Sequence, residues 1–163
     1  VKHIITALAL MASPAVADCY LPVGIGSKHI NATRDFNEFN PSLGLGCAWG
    51  GERFQYGLEG GVAYNSYSNW MTYGAAFAHA RAASFESVDL WAGAFVGYAG
   101  YANLATSGGS NIPTLGDTHI MVAGLTGIAE FERVNVVLNY IPFGSKMDGV
   151  LILKLQFPIG GRR

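Results

Sequence analysis

Leu151-Ile152-Leu153-Lys154-Leu155-Gln156-Phe157 is the stretch that decides the fold. Leu151, Leu153, Leu155 and Phe157 fall on one face, and Ile152, Lys154 and Gln156 fall on the other. A strand has a side-chain period of two, so this alternation marks a strand with one apolar and one mainly polar face. The same pattern recurs upstream. In 134–141, Val134, Val136, Leu138 and Tyr140 oppose Asn135 and Asn139. In 56–65, Tyr56, Leu58, Val62 and Tyr64 alternate with Gly57, Glu59, Gly61, Ala63 and Asn65. A charged Glu59 in mid-strand belongs on a sheltered inner face, away from lipid. Further strands fit near 20–27, 42–49, 69–81, 87–101 and 118–130.

These make eight strands, most near or above the roughly 9–11 residues that a tilted membrane strand needs. The expected fold is all-β: an eight-stranded antiparallel up-and-down barrel of the outer-membrane, transmembrane type. Closure would pair every backbone donor and acceptor and leave no edge. Expected loops are 28–41, 65–69, 102–117 and 142–148. The last strand is expected to end at Phe157.

Composition agrees. The 163 residues include 22 glycines and 12 % aromatics but only 13 % charged residues, against a usual charged share of about 25 %. A net charge of −1 with no basic block excludes a nucleic-acid partner, which needs clustered positive charge. No apolar run reaches the roughly 18 residues of a spanning helix. Residues 1–17 read as a signal peptide: Lys2, a short apolar core from Ile4 to Ala12, and the small-x-small site Ala15-Val16-Ala17. The remaining 18–163 form one barrel domain. A soluble periplasmic barrel is the alternative location. Cys19 and Cys47 are expected on the first two strands, either bridged in an oxidising compartment or present as small buried thiols. No C-x-x-C or zinc spacing occurs, and neither metal nor cofactor is expected.

An eight-stranded barrel is too narrow for an aqueous channel, so chemistry is expected at the loops. His29, at the start of the first long loop, and Ser66, after the third strand, are a base and a hydroxyl. His79 and His119 read as structural. Thr72, Gly74, Ala76 and Ala78 on one strand, and Gly93 and Gly97 on the next, offer an apolar slot if their faces point inward. Otherwise such small residues serve only to relieve crowding in a strongly twisted sheet.

Lys28-His29-Ile30-Asn31, Phe36-Asn37-Glu38, Gly44-Leu45-Gly46, Ala63-Tyr64-Asn65-Ser66-Tyr67-Ser68-Asn69-Trp70, Asn111-Ile112-Pro113, Tyr140-Ile141-Pro142 and Leu155-Gln156-Phe157 follow one another in an order that resembles the lipid A palmitoyltransferases. The resemblance runs from Ser27 to Phe157. It implies a monomeric acyltransferase of the cell outer membrane, with a phospholipid acyl donor and a glycolipid acceptor. It puts His29, Ser66 and Asn65 in the catalytic positions, with no cofactor. Asn65 stands where the family has Asp, and an amide can orient a neighbour but carries no negative charge. Only Asp18-Cys19 precedes the first strand, so the family's amphipathic N-terminal helix has no counterpart. Two other readings use the same residues: a non-catalytic surface barrel with partner-binding loops, and a lipid esterase.

Overall fold

The computed structural model describes residues 17–101, 119–143 and 147–159. The signal-peptide segment, apart from Ala17, lies outside the described residues, as do the loop 102–117 and its Asn111-Ile112-Pro113. The strands are β1 (Asp18–Ile30), β2 (Ser42–Gly50), β3 (Phe54–Tyr64), β4 (Trp70–Ser84), β5 (Asp89–Tyr101), β6 (His119–Glu130), β7 (Asn135–Pro142) and β8 (Gly149–Ile159). They close into a barrel in chain order, each antiparallel to the next, with β8 returning to β1. The expected eight-stranded, all-β, closed architecture is present. One rim carries the connections 31–41 and 65–69, the ends of β5 and β7 and the starts of β6 and β8. The other carries the short turns 51–53, 85–88 and 131–134.

The two faces separate as the alternation requires. Leu58 is 59 % exposed and Leu125 61 %, and Leu21, Leu43, Leu45, Val96, Leu138, Leu153 and Phe157 also point outward. Inside, Glu59, His79, Thr126, Asn139 and Gln156 are buried. Aromatic pairs stand at both ends of the outer surface. Tyr64 and Trp70 meet edge to face at the loop rim, and Trp49 stacks on Tyr56 near the turn rim.

The interior is layered. Ala63, Ala99, Ile120 and Val150, small or branched, lie near the loop rim. Trp91, Ile128 and Val137 pack together near the turn rim. Between them lies a buried ion pair, Lys154 Nζ to Glu59 Oε1 at 2.6 Å. The Tyr20 hydroxyl donates to Glu59 Oε2 at 3.2 Å, and Gln156 Nε2 donates to the same oxygen at 3.4 Å. Two such charges, removed from water, are tolerated only because each has partners. Glycines make room for the rings: a Cβ at Gly46 would overlap Tyr20, and one at Gly57 would overlap Phe77.

Cys19 and Cys47 face each other across β1 and β2 and are bridged. The bridge is on the outer surface, since Tyr20 and Gly46, their chain neighbours, point inward.

Three expectations change. β1 runs through Ile30, so Lys28 and His29 are strand residues and the loop begins at Asn31. The strand continues there because β8 pairs with it as far as Ile30 opposite Gly149, and on its other edge the Ser27 N–H donates to the Glu38 carbonyl at 2.9 Å. β8 continues past Phe157 to Ile159, because Tyr20 and Cys19 of β1 extend far enough to pair with Pro158 and Ile159. The face of Thr72, Gly74, Ala76 and Ala78 turns outward and not into the barrel. The inward face of β4 carries Tyr73, Phe77, His79 and Arg81, and the first three fill the space left by inward glycines of nearby strands. Arg81 pairs with Asp89 at 3.3 Å. Gly93 and Gly97 do point inward, but the His79 ring fills the space at Gly93.

Two stability predictions follow from this interior and its staple. Glu59→Ala strands Lys154 without a counter-charge and should cost about 3–5 kcal/mol, read from urea unfolding of the refolded barrel in detergent. Glu59→Leu with Lys154→Met should recover most of that loss, and an unchanged midpoint for Glu59→Ala would contradict the role given to the pair. Replacing both cysteines with serine removes a link between residues 28 apart in sequence. That should lower stability by about 3–4 kcal/mol on the chain-entropy estimate, with no further loss when reductant is added.

Candidate active site

His29 is the penultimate residue of β1. It pairs with Val150 of β8, and its side chain is 9 % exposed. Phe36, from loop 31–41, stacks on the imidazole with centroids 4.3 Å apart and planes 12° from parallel. Nδ1 of His29 is buried without a hydrogen-bond partner. Such a group costs free energy unless something later pairs with it.

Glu38 organises the loop beneath. Its carbonyl takes the Ser27 N–H, and its carboxylate takes the Lys28 ammonium at 3.0 Å and the His29 backbone N–H at 3.4 Å. The hydrogen bond from Lys28 holds the Glu38 carboxyl below the usual carboxylate range, and the His29 N–H adds to this. Ser27 Oγ also donates to Asn40 Oδ1. At the other end of the strand tip, Asn31 adopts a left-handed φ of 50° and donates from Nδ2 to Asp148 at 2.6 Å. Asn tolerates that conformation better than most residues.

Ser66 and Asn65 lie in the turn between β3 and β4. Asn65 is buried, and its amide oxygen accepts the N–H groups of Tyr67 at 2.9 Å and Asn69 at 3.1 Å. This is an Asx-type turn, in which a short side chain stands in for backbone. It holds Ser68 at a left-handed φ of 61°. Loop 31–41 reaches this turn as well: the Asn37 N–H donates to the Ser66 carbonyl at 3.1 Å. Phe36 and Asn37, neighbours in sequence, therefore touch His29 and Ser66 respectively. All three residues expected at the site stand on the loop rim, His29 and the Ser66 turn being bridged by one loop. The oxygen of Asn65 is committed to the turn.

The pairing around this site is incomplete. β2 faces β1 only as far as Ser42 opposite Gly24, so residues 25–30 of β1 have no β2 residue opposite them. Pro22 of β1 has no N–H to give, and Pro41 ends the loop just before β2. Likewise β7 faces β6 only from Leu125 onward, leaving 119–124 of β6 without a β7 partner, with Pro142 closing β7. These are the two seams of the barrel where strands diverge toward the loop rim.

Glu38, Phe36, Arg34 and Tyr67 were not expected as site residues. Phe36 and Glu38, in the Phe36-Asn37-Glu38 segment, and Tyr67, in the segment Ala63 to Trp70, carried a signal, and Arg34 carried none. No local pattern announces a carboxylate whose partners are an amine and a backbone N–H ten and nine residues away. Among the described residues, no group of His, Cys, Asp and Glu could hold a metal ion. No protein-family model matches the chain, and no curated protein matches it in sequence. The resemblance to the palmitoyltransferases rests on the quoted residues alone.

Asn65→Ala removes both acceptor contacts and should destabilise the turn by about 1–2 kcal/mol, with faster amide exchange at Tyr67 and Asn69. Asn65→Asp keeps an acceptor oxygen and should leave that exchange near wild type. Equal exchange in all three proteins would refute the turn-holding role.

Proposed function

We propose that this chain is an outer-membrane acyltransferase that moves a fatty acyl chain from a phospholipid to lipid A or a related glycolipid. The observation that carries the reading is the position of His29. It stands on the part of β1 that β2 does not cover, on the loop rim, and loop 31–41 links it to the turn that bears Ser66, Phe36 stacking on its ring and the Asn37 N–H donating to the Ser66 carbonyl. A lipid substrate must pass between strands to reach a closed barrel's rim chemistry from the side, and this seam is where backbone pairing leaves a way in.

The outer surface supports a membrane location. Apolar side chains cover it from β1 round to β8, between aromatic ends, while the charged pair is inside. Monomeric soluble proteins rarely show contiguous apolar surface on this scale, and a lipid-facing barrel requires it. The resemblance of the segments around His29 and Ser66 to the lipid A palmitoyltransferases supplies the substrate class.

In the proposed reaction the ester carbonyl of a phospholipid acyl chain meets a hydroxyl of the glycolipid. His29 takes the proton of that hydroxyl as its oxygen bonds to the carbonyl carbon. The Ser66 hydroxyl donates a hydrogen bond to the developing oxyanion. The carbonyl–glycerol oxygen bond then breaks, and the imidazolium returns its proton to the departing glycerol oxygen. The products are the acylated glycolipid and a lysophospholipid. Asn65 keeps the Ser66 turn in shape and supplies no charge.

One observation favours a second reading. Phe36 lies flat on His29, so the ring has one face covered. A non-catalytic barrel whose loops bind a partner would tolerate such a lid without cost.

The test is transfer of a labelled acyl chain to lipid A by the purified barrel in detergent. His29→Ala and Ser66→Ala should each reduce transfer by about 10²-fold or more, with heat-modifiable gel mobility unchanged. Free fatty acid without acylated product would identify an esterase. No turnover of any labelled lipid by a folded barrel would select the non-catalytic reading.

A further inference from the structure

Arg34 lies on the same loop, three residues beyond Asn31. Its guanidinium carbon is 4.7 Å from the centroid of Phe36 and 5.0 Å from that of Tyr67. Its Nη2 donates to the Tyr67 hydroxyl at 3.0 Å. The two rings belong to different connections and meet edge to face, with centroids 5.8 Å apart. The cation is thus held between loop 31–41 and the β3–β4 turn, on the same ring that covers His29. Among the described residues, no carboxylate lies within salt-bridge distance of Arg34. Glu38, the acid organising this loop, is engaged by Lys28, and Asp35 projects exposed beside it.

A flexible arginine loses side-chain entropy when held in one place. Stacking on aromatic rings contributes to offsetting that, and it leaves the remaining N–H donors of the planar fork free to point outward. A guanidinium fixed in this way, with donors to spare and no acid matched to it, suits a tetrahedral oxyanion. It is exposed at the loop rim, where lipid headgroups would lie on the membrane reading. Through Phe36 it is linked to His29, whose Nδ1 is buried without a partner and which lies on the part of β1 that β2 does not cover.

We infer that Arg34, positioned by Phe36 and Tyr67, binds the phosphate of a lipid headgroup and holds that lipid at the β1–β2 seam. This rests on the acyltransferase reading only in placing lipid at the loop rim, and binding can be measured without turnover.

The experiment uses the full barrel in maltoside detergent, which carries no phosphate. Binding is followed by native mass spectrometry for two matched pairs: phosphatidylglycerol against diacylglycerol of the same chains, and diphosphorylated lipid A against its dephosphorylated form. A charge-assisted contact predicts a preference of about tenfold or more for the phosphate-bearing member. Arg34→Gln should abolish that preference, Arg34→Lys should retain part of it, and Phe36→Leu should weaken it. Preference in the first pair identifies the acyl donor as the bound lipid, and preference in the second identifies the acceptor; either supports the assignment. Equal binding within both pairs overturns it, as does a preference that survives Arg34→Gln. Binding of inorganic phosphate at the same strength as the phosphate-bearing lipids overturns the lipid part. Phosphate preference without acyl transfer would leave the Arg34 site standing while the acyltransferase reading fails.

Discussion

Closure of β8 onto β1 is the constraint from which the rest follows. The two strands are in register from Cys19 opposite Ile159 to Ile30 opposite Gly149, with one irregularity between Gly24 and Gly26. A slip of one residue would move Lys154 and Gln156 to the outer surface and bury the leucines in their place. Lys154 would then lose Glu59, and Glu59 would be left as an unpaired charge inside. The strand register, the apolar coat and the interior ion pair are therefore a single condition met together. It also explains why Glu59, in the middle of an otherwise Gly- and Ala-rich inner face, is tolerated at all.

Because closure uses up backbone donors and acceptors, the places where it is incomplete carry meaning. The upper part of β1 would present bare N–H groups toward β2. Glu38 meets two of them, one with its carbonyl and one with its carboxylate. That substitution of a loop residue for a strand keeps the edge satisfied while letting the chain diverge. The disulfide lies at the opposite end of the same β1–β2 pair. The seam is thus fastened near the turn rim by the disulfide and near the loop rim by the contacts of Glu38.

Much of this was legible in the sequence because the governing signal is local. Period-two alternation in 151–157 and 134–141 placed the faces, and the strands were found within a few residues of their observed ends. The end of β1 was not legible. Lys28-His29-Ile30 was read as the start of a loop, and what makes it strand is non-local: β8 pairs with it as far as Ile30 opposite Gly149, while Glu38 meets its other edge. The inward face of β4 was also obscure. Small residues suggested internal space, but Tyr73, Phe77 and His79 fit inside because their neighbours across the sheet give way, as Gly57 does for Phe77. Pairing of the cysteines depended on a register that spacing alone does not set. His29, Ser66 and Asn65 could be named as candidates, but the Asx turn at Asn65 and the aromatic hold on Arg34 depend on folded geometry.

The turn at Asn65 bears on how the proposed reaction would be energised. An aspartate beside a catalytic histidine stabilises the imidazolium that forms as the proton is taken. Here the side chain at that position is neutral, and its oxygen is already bonded to two backbone N–H groups. Glu38, the nearest carboxylate tied to His29, reaches its backbone N–H and is balanced by Lys28. The positive charge developing on His29 would thus find no dedicated counter-charge in the described rim. Catalysis by this barrel would have to draw its advantage from orientation of the two lipids and from hydrogen bonding to the oxyanion. A rim that fixes lipid headgroups firmly is what such an economy of charge requires. It is also what distinguishes this site, in physical terms, from one built around an ionised acid.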